Sequence, residues 1–393
     1  EYDADAVGMS GLLVKSVMVM EENLKELNEL ALTTPVLLGG AALSRHYAES
    51  HLRSIYKGPL YYGKDAFEGL RICDAMMDNR LGEIDAEIEA RLSKRADSEA
   101  KVAASRAAKR HEPSTTAIAT GSDITHDNPV PEPPFWGERL IENIDLNEIY
   151  PYINPVALFR GQWGFKKGSA TADEYQRMLE DIVHPLFERM KTQCREERIL
   201  QPRVVYGYWP CQRTGEDLII FDAEDHDREI ERFTFPRQDK GRRLCISDFF
   251  RSVESGEKDV IAFHCVTMGE QVSERARMLF ERNEYSEYLY MHGMGVETAE
   301  ALAELWHKRV RAELGIGGDD SPRIAELFRQ DYRGSRYSFG YPACPDMQDQ
   351  EVLFRLLRPE RIGCTLTDNW QIDPEQSTSA LIVHHPAAKY FNV

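Results

Sequence analysis

Over the first eighty residues, short apolar runs alternate with stretches of helical period. Ala6 to Leu13 is a short apolar run broken by small residues, and Ser16 to Leu30 follows with an amphipathic helical pattern. Pro35-Val36-Leu37-Leu38-Gly39-Gly40 reads as strand and turn, after which Ser44 caps a helix through about Ile55. Gly58-Pro59-Leu60-Tyr61-Tyr62 reads as a third strand, and Asp65 opens a helix through Met77. Strands alternating with helices predict a partial doubly wound α/β fold, a parallel sheet with helices on both faces and ligands at the carboxyl ends of its strands. Those ends carry Ser10-Gly11, Gly39-Gly40 and Asp65-Ala66. Small residues there let a flat ligand lie close, and they equally suit ordinary turns.

From about Gly82 to Arg110 the chain is rich in Ala, Glu, Lys and Arg without a sustained apolar face, which predicts an exposed helical arm. His111 to Thr116 and Asn128 to Pro134 have the polar, proline-rich composition of a linker. The pattern therefore divides the chain into 1–82, an arm and linker at 83–134, and a second domain at 135–393 that docks through Phe135-Trp136-Gly137. In that domain Tyr175 to Gln193 is an amphipathic helix with a kink at Pro185. Val204 to Tyr208, Asp217 to Phe221 and Arg232 to Pro236 read as strands, and Val260 to Thr267 as a central one. Runs of strands and then helices predict an α+β fold with an antiparallel sheet. Glu297 to Leu314 is a helix with Glu300, Glu304, His307 and Arg311 near one face, a pattern that usually marks a solvated surface. Tyr332 to Pro345 carries two glycines, two prolines and alternating aromatics, so it reads as an ordered extended loop. In that loop Gly340 permits close backbone approach and Arg336 offers a fork of donors to a carboxylate.

Composition narrows the function classes. The 393 residues, 42% hydrophobic, suffice for two cores. A net charge of −18 argues against nucleic acid or an anionic membrane as partner. Seven cysteines (Cys73, Cys194, Cys211, Cys245, Cys265, Cys344, Cys364) are scattered without a Cys-x-x-Cys pair, which fits reduced thiols and points to no metal site. No run approaches the roughly 20 apolar residues of a membrane span, and the acidic start is no signal peptide, so the expected location is the cytoplasm.

Short motifs, in the right order along the chain, carry a family resemblance. Arg336-Tyr337-Ser338-Phe339-Gly340-Tyr341-Pro342-Ala343-Cys344-Pro345 resembles the signature of the activation domain of cobalamin-dependent methionine synthase. Ser10-Gly11-Leu12-Leu13-Val14-Lys15-Ser16 and Leu37-Leu38-Gly39-Gly40-Ala41 resemble the second half of that family's flavodoxin-like cobalamin-binding domain. Ala299-Glu300-Ala301 ahead of Trp306-His307-Lys308-Arg309 resembles its activation-domain helix, and His385 to Phe391 its closing segment. The resemblance implies that Ser10, Gly39, Gly40 and Ala66 line the pocket for the dimethylbenzimidazole tail of cobalamin. It matches Ser16 to the end of the relay behind the axial histidine, and Val14 to a position where some members carry a hydroxyl residue. It further implies S-adenosylmethionine contacts from Arg336, Tyr337, Ser338, Gly340, Glu300, Tyr390 and Phe391, and from Asn154 where some members have aspartate.

The family's Asp-x-His-x-x-Gly loop, which supplies the cobalt ligand, lies upstream of these motifs and appears nowhere here; Asp225-His226-Asp227 lacks its spacing. The chain therefore resembles a fragment that begins partway through its cobalamin domain. In the family the whole enzyme moves a methyl group from methyltetrahydrofolate to homocysteine through cobalamin. Oxidised cobalamin is repaired with an electron, often from flavodoxin, and a methyl group from S-adenosylmethionine. The resemblance implies that this chain serves the repair, with upstream homocysteine, folate and cobalamin modules and a flavodoxin-type reductase as partners, and with the family's zinc held elsewhere. The alternative from another class is a cobalamin and S-adenosylmethionine binding or sensing module without turnover. An upstream reading frame carrying Asp-x-His-x-x-Gly would favour the enzyme.

Overall fold

The alternating pattern at the start of the chain folds as three parallel strands in the computed structural model. The residues described are 4–11, 14–40, 43, 45, 47–64, 66–78, 80–93, 122–168, 170–367 and 370–393. Two units, Glu1–Ile118 and Ala119–Val393, make up the chain. In the first, β1 (Val7–Ser10), β2 (Val36–Gly39) and β3 (Leu60–Tyr62) pair in parallel and in sequential order. Helix α1 (Val14–Glu29) follows β1. A π-helical stretch (Tyr47–Leu52) running into α2 (Arg53–Ile55) follows β2, and α3 (Ala66–Met77) follows β3.

Side chains alternate across this sheet, and helices cover both faces. Val36, Leu38, Leu60 and Tyr62 pack with Met20 and Leu24 of α1 and with Ala48 and Leu52. Leu37 and Tyr61 pack on the other side with Ile72 and Ala75 of α3 and with Ile84 and Ile88. This burial on both faces explains why β2 and β3 read as continuous apolar runs. The last two isoleucines belong to helix α4 (81–93), which the composition predicted to be exposed. Its Leu81, Ile84, Ile88 and Leu92 recur at helical spacing and form a narrow apolar stripe, so the exposed reading fails at 81–93 because dense surrounding charge masked that stripe. Ser44, Asp65 and residues 94–121 lie outside the described residues.

In the second unit a seven-stranded sheet has the order β7-β6-β5-β8-β12-β9, with β4 also paired to β5. Its strands are β4 (Gly137–Ile141), β5 (Arg203–Thr214), β6 (Asp217–Phe221), β7 (Glu229–Thr234), β8 (Asp259–Thr267), β9 (Ser335–Tyr337) and β12 (Ser377–Val383). A separate two-stranded pair joins β10 (Thr365–Leu366) to β11 (Ile372–Asp373). All pairings are antiparallel, and β8, buried along its whole length, is central as its apolar run predicts. Short helices α5 (Leu146–Ile149) and α6 (Ala172–Met178) precede α7 (His184–Glu196). A π-helical stretch at Leu179–Val183 runs directly into α7, whose second residue is Pro185, beside the position where the kink was expected.

The sheet separates two cores. Val204, Tyr206, Ala262, Val266 and Ile382 face α9 (Tyr285–Glu313), a helix twelve residues longer at its start than the sequence pattern suggested, with α8 (Gln271–Glu281) beside it. Val205, Phe263, Leu381 and Tyr337 face the opposite side, where α11 (Gln350–Leu357) packs. Helix α10 (Ile324–Leu327) lies in the connection between α9 and β9. The proline-rich stretch from 122 is no free spacer: Ile124 reaches one core, and Val130, Phe135 and Trp136 reach the other. Arg251 donates to the carbonyls of His126 and, at 2.7 Å, of Asn128, and His385 Nε2 lies 2.9 Å from the Thr125 carbonyl. All seven cysteines are free thiols. Among the described residues no helix is long and apolar enough to cross a membrane.

Two features of this core make testable demands. Gly207 of β5 faces β4 so closely that a Cβ would lie 2.1 Å from the Gly137 carbonyl oxygen. Gly207→Ala is therefore expected to destabilise the second unit by about 1–3 kcal/mol through displacement of β4. An unchanged denaturation midpoint would show that β4 yields at no cost.

Between α9 and the sheet, burial keeps three histidines neutral. His264 is pushed down to about 3 and His292 to about 4, and His307 falls well below its ordinary range. Each folded pKa is depressed, so this stability is present above the unfolded value near 6.5 and is lost as the pH falls toward the folded one. Each histidine is expected to cost on the order of 1 kcal/mol per pH unit below about 6.5. His264 makes no hydrogen bond through either ring nitrogen, so His264→Leu should flatten the decline between about pH 6.5 and 4.5. Urea denaturation at a series of pH values gives the slope, and equal slopes for both proteins would refute the account.

Candidate functional site

Two clefts, one in each unit, gather the residues with candidate chemistry. In the first unit a cleft of about 400 Å³ opens at the carboxyl ends of the three parallel strands. Gly8, Ser10, Gly39, Gly40, Gly63 and Lys64 are among its lining residues. The small residues are required by geometry. A Cβ on Gly40, whose φ is +109°, would stand 2.0 Å from the Gly11 oxygen, and one on Gly39 would stand 3.2 Å from the Gly63 oxygen. The strand ends thus close on one another through backbone.

In the second unit a cleft of about 380 Å³ lies between the middle of α9, the strand β9 and the chain joining them. Glu297, Glu300, Ala301 and Glu304 come from α9, and Arg336 from β9. Leu327, Phe328, Gln330 and Tyr332 line it from the connecting chain, and Tyr152, Asn154 and Ala157 from the start of the unit. Strand alternation aims Arg336: it pairs in register with Ile382 on the α9 side, whereas Tyr337 pairs with Leu381 on the opposite side. The guanidinium Nη2 lies 3.2 Å from Glu300 Oε2 and 3.7 Å from Glu304 Oε2. Burial opposes the charge on Arg336, and the two carboxylates more than offset it, so its pKa rises.

Behind the cleft the charged face of α9 turns inward, against the expectation of a solvated surface. Glu304, His307 and Arg311 are buried, because the face carrying them meets the sheet and the connecting chain rather than water. Arg311 donates to both carboxylate oxygens of Asp320, at 2.8 and 2.7 Å, and its guanidinium stacks 4.0 Å from the centre of the Tyr332 ring. Burial raises the pKa of Glu304, opposed by Arg336 and Arg311, and Glu304 Oε1 has no hydrogen-bond partner. Burial likewise raises Glu297, whose Oε1 accepts a 3.2 Å hydrogen bond from Gln162. Tyr332 is pushed up to about 12 by burial and by Glu304.

The residues singled out from the sequence divide accordingly. Ser10, Gly39 and Gly40 meet in the first cleft, and Asn154, Glu300 and Arg336 in the second. Asn154 Oδ1 also accepts from the backbone of Val156 and Ala157, at 3.0 and 3.4 Å, capping the turn that follows. The side chains of Val14, Ser16 and Ala66 lie outside the described residues. Tyr337 and Phe391 do not line the cleft. They pack on each other in the second core, with ring centres 6.0 Å apart, and the Tyr337 hydroxyl donates to the Lys389 carbonyl at 2.9 Å.

The remaining signature residues shape the backbone. The Ser338 carbonyl accepts from the Cys344 thiol at 2.9 Å, and Gly340, at φ +84°, donates its N–H to the Cys344 carbonyl at 3.0 Å. Tyr390 is exposed, as is Tyr341, whose pKa is raised by burial of its hydroxyl and by Glu300 and lowered by Arg336. The loop expected at 332–345 is in part an edge strand, Ser335–Tyr337, which its flanking turn residues concealed. Glu297, Gln330 and Tyr332 were not identified from the sequence, although Glu297 and Glu304 stand one turn either side of Glu300. Among the described residues no group of three or more His, Cys, Asp or Glu is placed to hold a metal ion.

The family described as vitamin B12 dependent methionine synthase, activation domain, matches residues 145–393. Methionine synthases of Mycobacterium tuberculosis and Mycobacterium leprae are 43% and 41% identical to the chain over its whole length. The chain spans 35% of each, about a third of the relatives it matches. The structure of the MetH reactivation domain bound to AdoHcy superposes with a TM-score of 0.62 at 27% identity, covering 71% of this chain and 89% of that one. With the antiparallel sheet and the match over 145–393 in agreement, the chain belongs to the vitamin B12-dependent methionine synthase family, and its second unit carries the activation domain.

Proposed function

We propose that the second unit holds S-adenosylmethionine in the cleft beside α9 and presents its methyl group for reductive methylation of oxidised cobalamin in a methionine synthase. The observation that carries this is the Arg336–Glu300 pair, 3.2 Å apart at the mouth of the cleft. An α-amino acid end can exchange into that pair without leaving a charge unpaired, its carboxylate on the guanidinium fork and its ammonium on Glu300. The relative solved with AdoHcy bound supports a ligand of this chemical class. Among the described residues that line the cleft there is no Ser, Cys, Lys or His, and the reading asks them for position and electrostatics rather than a nucleophile of those kinds. Tyr390 is assigned to the exposed rim and Phe391 to the core that anchors it.

The first unit fits part of a flavodoxin-like cobalamin domain. Its cleft of glycines and Ser10 admits a flat aromatic tail, with Val14, Ser16 and Ala66 assigned beside it by resemblance. When bound, cobalamin supplies a cobalt centre able to take up and pass on a methyl group. The protein's own task there is to enclose the tail and exclude water from it. Upstream modules for homocysteine, folate and the rest of the cobalamin site, and a flavodoxin-type electron donor, are the partners this reading requires.

Calorimetry on the full chain tests the ligand assignment. Arg336→Ala is expected to weaken S-adenosylmethionine by about 1.5–3 kcal/mol, the worth of a charge-assisted pair. Unchanged affinity would remove Arg336 from the site. For activity, the chain is supplied with cobalamin, a strong one-electron reductant and S-adenosylmethionine, and the absorbance change from cob(II)alamin to methylcobalamin is followed. A rate equal to that in buffer, with and without the upstream segment restored, would replace this reading by one of a binding module.

A further inference from the structure

Three carboxylates project into the cleft from one face of α9, and their surroundings differ. Glu297 already accepts a hydrogen bond from Gln162, and Glu300, 47% exposed, faces Arg336 at the mouth. Glu304 sits one turn deeper, its side chain only 9% exposed, with Oε2 toward Arg336 and Oε1 without a partner. A buried carboxylate oxygen left unpaired is costly, and it favours whatever cation or donor the cleft admits.

The groups facing Glu304 leave room for such a cation. Arg311 is held by both oxygens of Asp320, His307 is kept neutral by burial, and the Tyr332 phenol stays protonated. Lys389 is turned to the carbonyls of Gln330 and Tyr332, and His264 on β8 is neutral. Arg336 is shared with Glu300, so it does not fully neutralise Glu304.

We infer that Glu304 is the specificity-determining residue by which the cleft tells a sulfonium from the neutral thioether left after methyl transfer. The inference rests on the cleft being the S-adenosylmethionine site. In such a ligand the carboxylate and ammonium share one carbon and are answered together by Arg336 and Glu300. The sulfur lies beyond the β- and γ-carbons, within the reach of a second acid one helical turn from Glu300. A sulfonium donates no hydrogen bond and is recognised by charge alone, which suits an oxygen that lies free in a poorly hydrated wall. Burial works against the charge on Glu304, and an entering cation adds to Arg336 and Arg311 in favouring it.

The test is the affinity ratio of S-adenosylmethionine to S-adenosylhomocysteine, measured by calorimetry on the full chain. The unmodified chain should prefer the sulfonium. Glu304→Gln, which keeps shape and removes charge, should lower that preference at least about fivefold, the effect of roughly 1 kcal/mol of lost charge interaction, by weakening S-adenosylmethionine alone. Glu300→Gln should weaken both ligands alike, since both carry the ammonium. Glu304→Ala, which also removes the charge, should lower the preference in the same direction and stands in should the glutamine variant fail to fold. A ratio of one in the unmodified chain, or a ratio unchanged by a neutral variant that folds, overturns the inference. Failure of the unmodified chain to bind either ligand would instead overturn the assignment of the cleft.

Discussion

The buried pair between Arg311 and Asp320 holds the second cleft together. Arg311 ends the inward face of α9, and Asp320 lies in the chain that returns from α9 to the sheet. Both side chains are almost wholly enclosed, so either alone would be an uncompensated buried charge, and the two-point hydrogen bond fixes the return chain against the helix. From that fixed point the chain delivers Leu327, Phe328, Gln330 and Tyr332 to the cleft wall and enters β9 at Ser335. Tyr332 is further clamped between the Arg311 guanidinium and the His307 ring, 5.0 Å away. The cleft-lining residues therefore inherit their positions from a contact outside the cleft.

Sheet geometry does the rest. Three residues of β9 on the edge of β12 suffice to send Arg336 toward α9 and Tyr337 into the opposite core, because successive side chains of a strand point to opposite faces. The closing segment is fastened to the same edge by the Tyr337 hydroxyl on the Lys389 carbonyl, and Lys389 reaches back to the carbonyls of Gln330 and Tyr332. His385, in the same segment, also anchors the strap formed by the proline-rich stretch from 122, at Thr125. The strap, the closing segment and the cleft wall are thus linked by successive hydrogen bonds. The first unit follows a different logic, in which glycine backbones at the strand ends set the width of the opening.

Much of this architecture was legible in the residues. Apolar runs alternating with helical stretches determined the parallel strands, and the unbroken run Val260 to Thr267 determined the central strand of the second sheet. Gly39, Gly40 and the arginine of the signature were singled out by resemblance, and the close approaches that require the two glycines, to Gly63 and Gly11, come from segments distant in the chain. Only the tertiary structure decided which charges are buried. Glu304, His307 and Arg311 repeat as a solvated stripe would, and nothing in their spacing reveals that the return chain and β9 cover them. Nor does the signature reveal that Tyr337 packs with Phe391 in a core while Arg336, its neighbour in the chain, turns to the cleft. Burial and facing depend on contacts between segments far apart in the chain, and the energies of those contacts are not written in any one segment.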